Sequence, residues 1–198
     1  MSHKCFISFK KEDILYKETL LLILKEEDIV GKALNEVINS SNSDYILQKI
    51  RDDYLSNSTV TLFLIGKHSS ENEGFDSKGR AHNYFIQREL QSSLYNGRNN
   101  TRNGIVGIVL PEMYDAIYKG ISESNYPILN INDNTVIREF GDNYFIKPHD
   151  SNIWTESERY CVLAKWDDFI KNPDKYINQA FNKRFSEIAK KIKIRNLR

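Results

Sequence analysis

The 198 residues hold only two cysteines, Cys5 and Cys161, set far apart in apolar segments. That count leaves no disulfide framework and no thiolate metal cluster; two small buried thiols are the expectation. Histidine is as sparse. His3, His68, His82 and His149 are scattered and neither cysteine has a second close by, so no metal site is expected. Nine glycines are present, yet neither GxGxxG nor GxxxxGK[ST] follows the first apolar segment, which argues against a dinucleotide or P-loop phosphate cradle. Charge of one sign is also missing. Lys and Arg total 28 against 27 Asp and Glu, so bulk charge gives no reason to expect nucleic acid or a membrane surface as partner. No apolar run approaches membrane-spanning length, and Met1 to Lys4 lead straight into an apolar segment without the basic and then long apolar pattern of a signal peptide. A cytoplasmic protein is expected.

What is present is ordinary globular material, 40% hydrophobic and 28% charged, enough for one domain spanning residues 1–198. Lys4 to Phe9 predicts a short buried strand that stops at the charged cluster Lys10, Lys11, Glu12 and Asp13. Ile14, Leu15, Leu21, Leu22 and Leu24 then recur with helical spacing to about Lys25. Ile29 to Val37 is a weaker second strand or an irregular edge. A helix after Ser43 or Asp44 would align Ile46, Leu47, Ile50 and Tyr54. Val60 to Ile65 is an uninterrupted run rich in β-branched and aromatic residues, as a central strand requires, and Gly66 ends it. A helix from about Ala81 to Tyr95 carries Phe85, Ile86, Leu90 and Leu94 as its apolar stripe. Ile105 to Leu110 is the fourth strand, closed by Pro111.

From about 112 to 159 the pattern loosens into an insertion, with an amphipathic piece at Met113 to Tyr118 and a possible strand at Tyr144 to Lys147. Tyr160 to Ala164 predicts the last strand, which would hold Cys161. A helical segment over about 167–195 closes the chain, broken near Pro173, with Lys190, Lys191, Lys193, Arg195 and Arg198 suiting a helix carboxyl terminus.

Strands alternating with helices imply an α/β fold with a doubly wound parallel sheet in flavodoxin-like order, interrupted by the insertion between the fourth and last strands. Ligands in such sheets bind outside the carboxyl ends of the strands. The candidate loops are therefore Lys10 to Asp13, Gly66 to Ser70 and the segment from Pro111. A phosphoacceptor receiver domain shares this architecture, and Glu12, Asp13 and Lys165 suit it. However, the third strand ends in Ile65, Gly66 and Lys67, with no carboxylate to accept a phosphoryl group.

Three segments in order carry a closer likeness: Cys5-Phe6-Ile7-Ser8-Phe9 followed by Lys10 and Lys11, the strand from Thr59 to Gly66, and Phe85-Ile86-Gln87-Arg88-Glu89-Leu90. Over about Lys4 to Leu110 the chain resembles the TIR family, and within it the TIR-like component of the bacterial Thoeris antiphage defence system. The first segment matches the FISY-type opening box. The third matches the W-C-x-x-E-L helix, with Phe85 in place of tryptophan and Ile86 in place of cysteine.

The resemblance implies an enzyme of the NAD glycohydrolase or ADP-ribosyl cyclase type, with NAD as substrate and no cofactor beyond it. The nicotinamide–ribose bond would be cut, and the product would be an ADP-ribose-derived signal, cyclic or conjugated, read by a separate effector. It implies Glu89 as the catalytic residue, with Ser8, Phe9, Lys10 and Phe85 around the substrate, and possible self-association through TIR surfaces. The alternative is a non-catalytic TIR module that acts by self-association or by docking a partner TIR surface. Residue chemistry leaves other readings open: Phe9 and Phe85 as core packing, Lys10 and Lys11 as a solvated loop, and His82 as a surface residue. Glu89 itself, four residues after Phe85 and seven after His82, is either a desolvated carboxylate beside an aromatic ring or a partly solvated one paired with Arg88 or Lys67.

Overall fold

The computed structural model describes residues 3–26, 30–33, 43–75, 77, 79, 82–97 and 101–195. Strand β1 (Lys4–Ser8) is buried on both faces beyond its first residue. A tight turn at Lys11–Asp13 leads into α1 (Ile14–Glu26). The face of α1 turned to the sheet is set by Leu20 and Leu24, one helical turn apart, while Leu15 and Leu22 point to solvent. Strand β2 (Val30–Ala33) pairs with β1; the rest of the segment expected as a strand, 29 and 34–37, lies outside the described residues. Helix α2 (Ser43–Ile50) runs on into a wider helical turn at Arg51–Leu55. Strand β3 (Val60–Ile65) is fully buried, as is β4 (Gly104–Val109), and α3 (Tyr84–Leu94) lies between them in the chain.

The insertion is not shaped as expected. After a single turn, α4 (Tyr114–Ile117), the chain forms an antiparallel hairpin of β5 (Tyr118–Ile121) and β6 (Pro127–Leu129), then α5 (Arg138–Tyr144). The strand predicted at Tyr144 to Lys147 is absent. Tyr144 closes α5, its ring stacked on Phe140 one helical turn earlier at 5.7 Å, and the carbonyl of Ile146 accepts a bond from Trp154 Nε1.

The last strand is β7 (Val162–Lys165), not Tyr160 to Ala164. Tyr160 and Cys161 both donate their backbone N–H groups to the Asn143 carbonyl, which ties them to α5 instead of β4. Cys161 therefore sits just ahead of the strand. Both cysteines are free and buried, and burial pushes the Cys5 thiol up to about 12. The closing segment holds α6 (Trp166–Lys171) and α7 (Pro173–Lys183). Pro173 starts the second helix at its first position, capped by Asn172, whose side chain accepts from Lys175 N at 3.1 Å. Helix α7 ends at Lys183, so Lys190, Lys191, Lys193 and Arg195 do not form its carboxyl terminus; Arg198 lies outside the described residues.

All five strands of the main sheet run parallel in the order β2-β1-β3-β4-β7, the flavodoxin-like order. One face packs Phe63, Ile65, Ile105 and Val109 against α3 and α5. The other packs Ile7, Leu62, Leu64, Val106 and Ile108 against α1, α6 and α7. Helix α7 approaches so closely that a Cβ on Gly104 would overlap the Ala180 carbonyl. Among the described residues, no helix is long and apolar enough to cross a membrane.

Candidate functional site

Side chains alternate along β1, so Ser8 points to the α3 face of the sheet, as Phe6 does, at the carboxyl end of the strand. Helix α3 lies across that end. Ser8 is fully buried and its Oγ donates to Glu89 Oε2 at 2.6 Å. Two segments 81 residues apart in the chain thus meet in one hydrogen bond, and neither Arg88 nor Lys67 is the partner of this carboxyl group. Glu89 is only 4% exposed. Loss of hydration raises its carboxyl group from an ordinary 4.5 to about 8, against the lowering effect of the Ser8 hydroxyl.

Helix α3 is buried on every side from Ile86 to Leu94, polar residues included. Several of its polar groups pair with neighbours. Ser93 Oγ pairs with Thr61 Oγ1 at 2.7 Å and donates to the Glu89 carbonyl at 2.8 Å. Gln91 Nε2 donates to Glu139 Oε1 at 3.2 Å and to the Arg195 carbonyl at 3.0 Å. Arg195 in turn grips two carboxylates, Glu139 and Glu71, each through two bonds of 2.8 to 3.2 Å. The tail after α7 is thereby strapped to α3, to α5 and to the loop that follows β3.

Lys10 is exposed at its ammonium group and donates from Nζ to the His82 carbonyl at 3.1 Å, joining the loop after β1 to the entry of α3. His82 stands in the turn ahead of α3, not within it, and is exposed. Ser8 and Glu89 are therefore brought together, and Lys10 reaches the entry of the same helix. The two aromatic candidates pack into the core on either side of the sheet. Phe9 is half-buried and packs with the α1 side of the core, with Lys17 Nζ 5.5 Å from its ring centre. Phe85 is half-buried against Phe6, Ile46, Ile50 and Leu55, edge-on to Tyr84 at 5.6 Å.

Asp13 closes the candidate loop after β1 and belongs to the receiver-like pattern, but not to the set that the TIR resemblance implies. It is 6% exposed and lies over Gly66, where any Cβ would overlap its carboxyl group. Burial, then the nearby Glu112 and Glu12, raise it to about 6, and its Oδ2 is buried without a hydrogen-bond partner. The sequence signal is its place in a loop after a strand that faces a glycine after another. Lys165, the receiver-like lysine, instead spans the rings of Tyr118 and Tyr114 at 4.7 and 5.2 Å. Among the described residues, no group of three or more His, Cys, Asp or Glu could hold a metal ion.

No solved structure matches the chain. The family described as Thoeris protein ThsB, TIR-like domain, matches residues 6–115, more than half of the sequence and the part that builds β1 to β4 and the Ser8–Glu89 contact. The insertion and the closing helices lie beyond that match. With a parallel sheet in flavodoxin-like order beneath the matched segment, the chain belongs to the Thoeris ThsB TIR-like domain family and is a TIR-like component of Thoeris defence.

Proposed function

We propose that this protein cleaves the bond between nicotinamide and ribose in NAD and passes the ADP-ribosyl group on to form a cyclic or conjugated signalling nucleotide, read by a separate effector. The observation that carries this reading is the buried hydrogen bond between Ser8 and Glu89 at the carboxyl end of β1. Breaking the C1′–N bond sends its electron pair to nicotinamide, which departs neutral and needs no general acid. What remains is an oxocarbenium-like ribose, the type of centre that carboxylates stabilise in glycosidases. An ionised Glu89 in a low-dielectric site would stabilise that charge strongly, and Ser8 would hold one carboxyl oxygen in place. Lys10, whose ammonium faces solvent, would meet the diphosphate, and Phe9 and Phe85 would border the rings. A hydroxyl of the same molecule or of a second one then attacks C1′ and loses its proton.

The test is nicotinamide release from NAD by the purified protein, with Glu89→Gln and Ser8→Ala alongside. Release by wild type, abolished in Glu89→Gln and reduced in Ser8→Ala, is expected. No release at high protein concentration or with lysate from phage-infected cells would refute the enzyme. One observation favours the second reading, a docking module without catalysis: Glu89 is almost entirely closed to solvent, so substrate must open the site. Under that reading Glu89→Gln folds and associates as wild type does, and neither protein consumes NAD.

A further inference from the structure

A second cluster of charge lies at the other end of the sheet. Beside the amino end of β7, at its open edge, α7 and the end of the insertion enclose a cavity of about 280 Å³ lined by Tyr144, Glu156, Arg159, Lys175, Tyr176 and Lys183, among others. Three cations and one carboxylate converge there. Among the described residues none of the three cations forms an ion pair, whereas Lys17, Lys49, Arg138, Lys190 and Arg195 all do.

Among the described residues Glu156 forms no ion pair with them, although its charge acts on Lys183. Its Oε1 accepts from Gln179 Nε2 at 2.6 Å, and it is the Glu156 backbone carbonyl that takes a bond from Lys183 Nζ. Lys183 is 8% exposed; burial lowers its pKa most, against the raising effect of the nearby Glu156 charge and with a smaller lowering effect from Arg159. Arg159 is fixed by bonds of 2.7 Å to the Tyr144 hydroxyl and to the Trp154 carbonyl, yet its Nε is buried with no hydrogen-bond partner. Holding a buried ammonium near a guanidinium, with one carboxylate against three cations, disfavours folding. Such an arrangement is stabilised when an anion enters, and Arg with Lys is the pairing suited to phosphate oxygens.

We infer that this cavity is a ligand site, separate from Glu89, for the phosphate group of a small molecule, held by Arg159, Lys183 and Lys175. A phosphate accepts several charge-assisted bonds at once, and the rings of Tyr144 and Tyr176, with Arg159 and Lys175 over them at 4.7 and 5.1 Å, help hold those cations at the cavity. Free phosphate and a nucleotide phosphate share this chemistry, so they are titrated separately.

The experiment is calorimetric titration of the full chain with inorganic phosphate and, in a second arm, AMP. Saturable binding is expected in at least one arm. It should weaken about tenfold in Lys175→Ala and at least as much in Lys183→Met, and stay unchanged in Glu89→Gln. Binding in the AMP arm alone would assign the site to a nucleotide, and binding in both to the phosphate itself. Lys183→Met also has a readout that a structural lysine would not give: thermal stability without anion equal to or above wild type, with the stabilisation by anion lost. Lys175 is exposed, so its variant folds whether or not Lys183→Met does. The inference is overturned if neither ligand binds up to about 10 mM, or if both lysine variants bind as wild type does.

Discussion

Replacing Glu89 by glutamine should change how the stability of this protein depends on pH. The carboxyl group titrates at an ordinary 4.5 when unfolded and at about 8 when folded. Between those values the folded chain keeps a proton that the unfolded chain has released, so stability falls as pH rises. The slope is about 1.4 kcal/mol per pH unit and the full span about 5 kcal/mol. That contribution is fully present below pH 4.5 and gone above about 8. Glutamine keeps the shape and can still accept from Ser8, but it does not titrate. Asp13, raised to about 6 by burial and by Glu112 and Glu12, destabilises in the same direction but does so in both proteins and cancels in the comparison. Urea unfolding at steps from about pH 5 to about pH 9 gives both curves. The wild type should lose several kcal/mol relative to Glu89→Gln across that range. Parallel curves would show that Glu89 is ionised in the folded state at neutral pH, and the reasoning from burial would fail.

Two further outcomes follow from the same groups. NAD carries a positive nicotinamide ring, which favours an ionised carboxylate nearby, so binding near neutral pH should release close to one proton from wild type and none from Glu89→Gln; calorimetry in buffers of different ionisation enthalpy measures this. Arg195→Ala should destabilise the fold by about 3 kcal/mol, the low end for breaking a buried ion pair because the guanidinium is partly exposed. Glu139, with no side-chain exposure, loses its charge partner, and Arg195→Lys should recover only part of the loss, since an ammonium cannot grip two carboxylates bidentately. Chemical denaturation that leaves all three proteins equal would remove the tail as a strap.

The strands that build the site were legible because they are buried on both faces. Val60 to Ile65 reads as one unbroken apolar run with a glycine after it, and its observed bounds are the same. The hairpin Tyr118–Ile121 with Pro127–Leu129 was not legible, since its residues are largely exposed and lack an alternating pattern. Tyr144-Phe145-Ile146 is an apolar run that reads as a strand start, whereas the stacking of Tyr144 on Phe140 one turn earlier makes Tyr144 the end of α5.

At the site itself the division is sharper. The opening box and the Glu89 helix could each be found in the sequence, but not the bond between them, because Ser8 and Glu89 meet only through the way α3 lies across β1. Gln87, Arg88, Gln91, Ser92 and Ser93 look like a solvated face when only periodicity is considered. They are buried because neighbours pack on every side: Gln91 meets Glu139 of α5 and the Arg195 carbonyl of the tail, both from outside the matched segment, and Ser93 meets Thr61 of the sheet. The insertion and tail thus hold the side of α3 that carries Gln91, whereas Glu89, two residues further back and so on the opposite side of the helix, is desolvated where it meets Ser8 on β1.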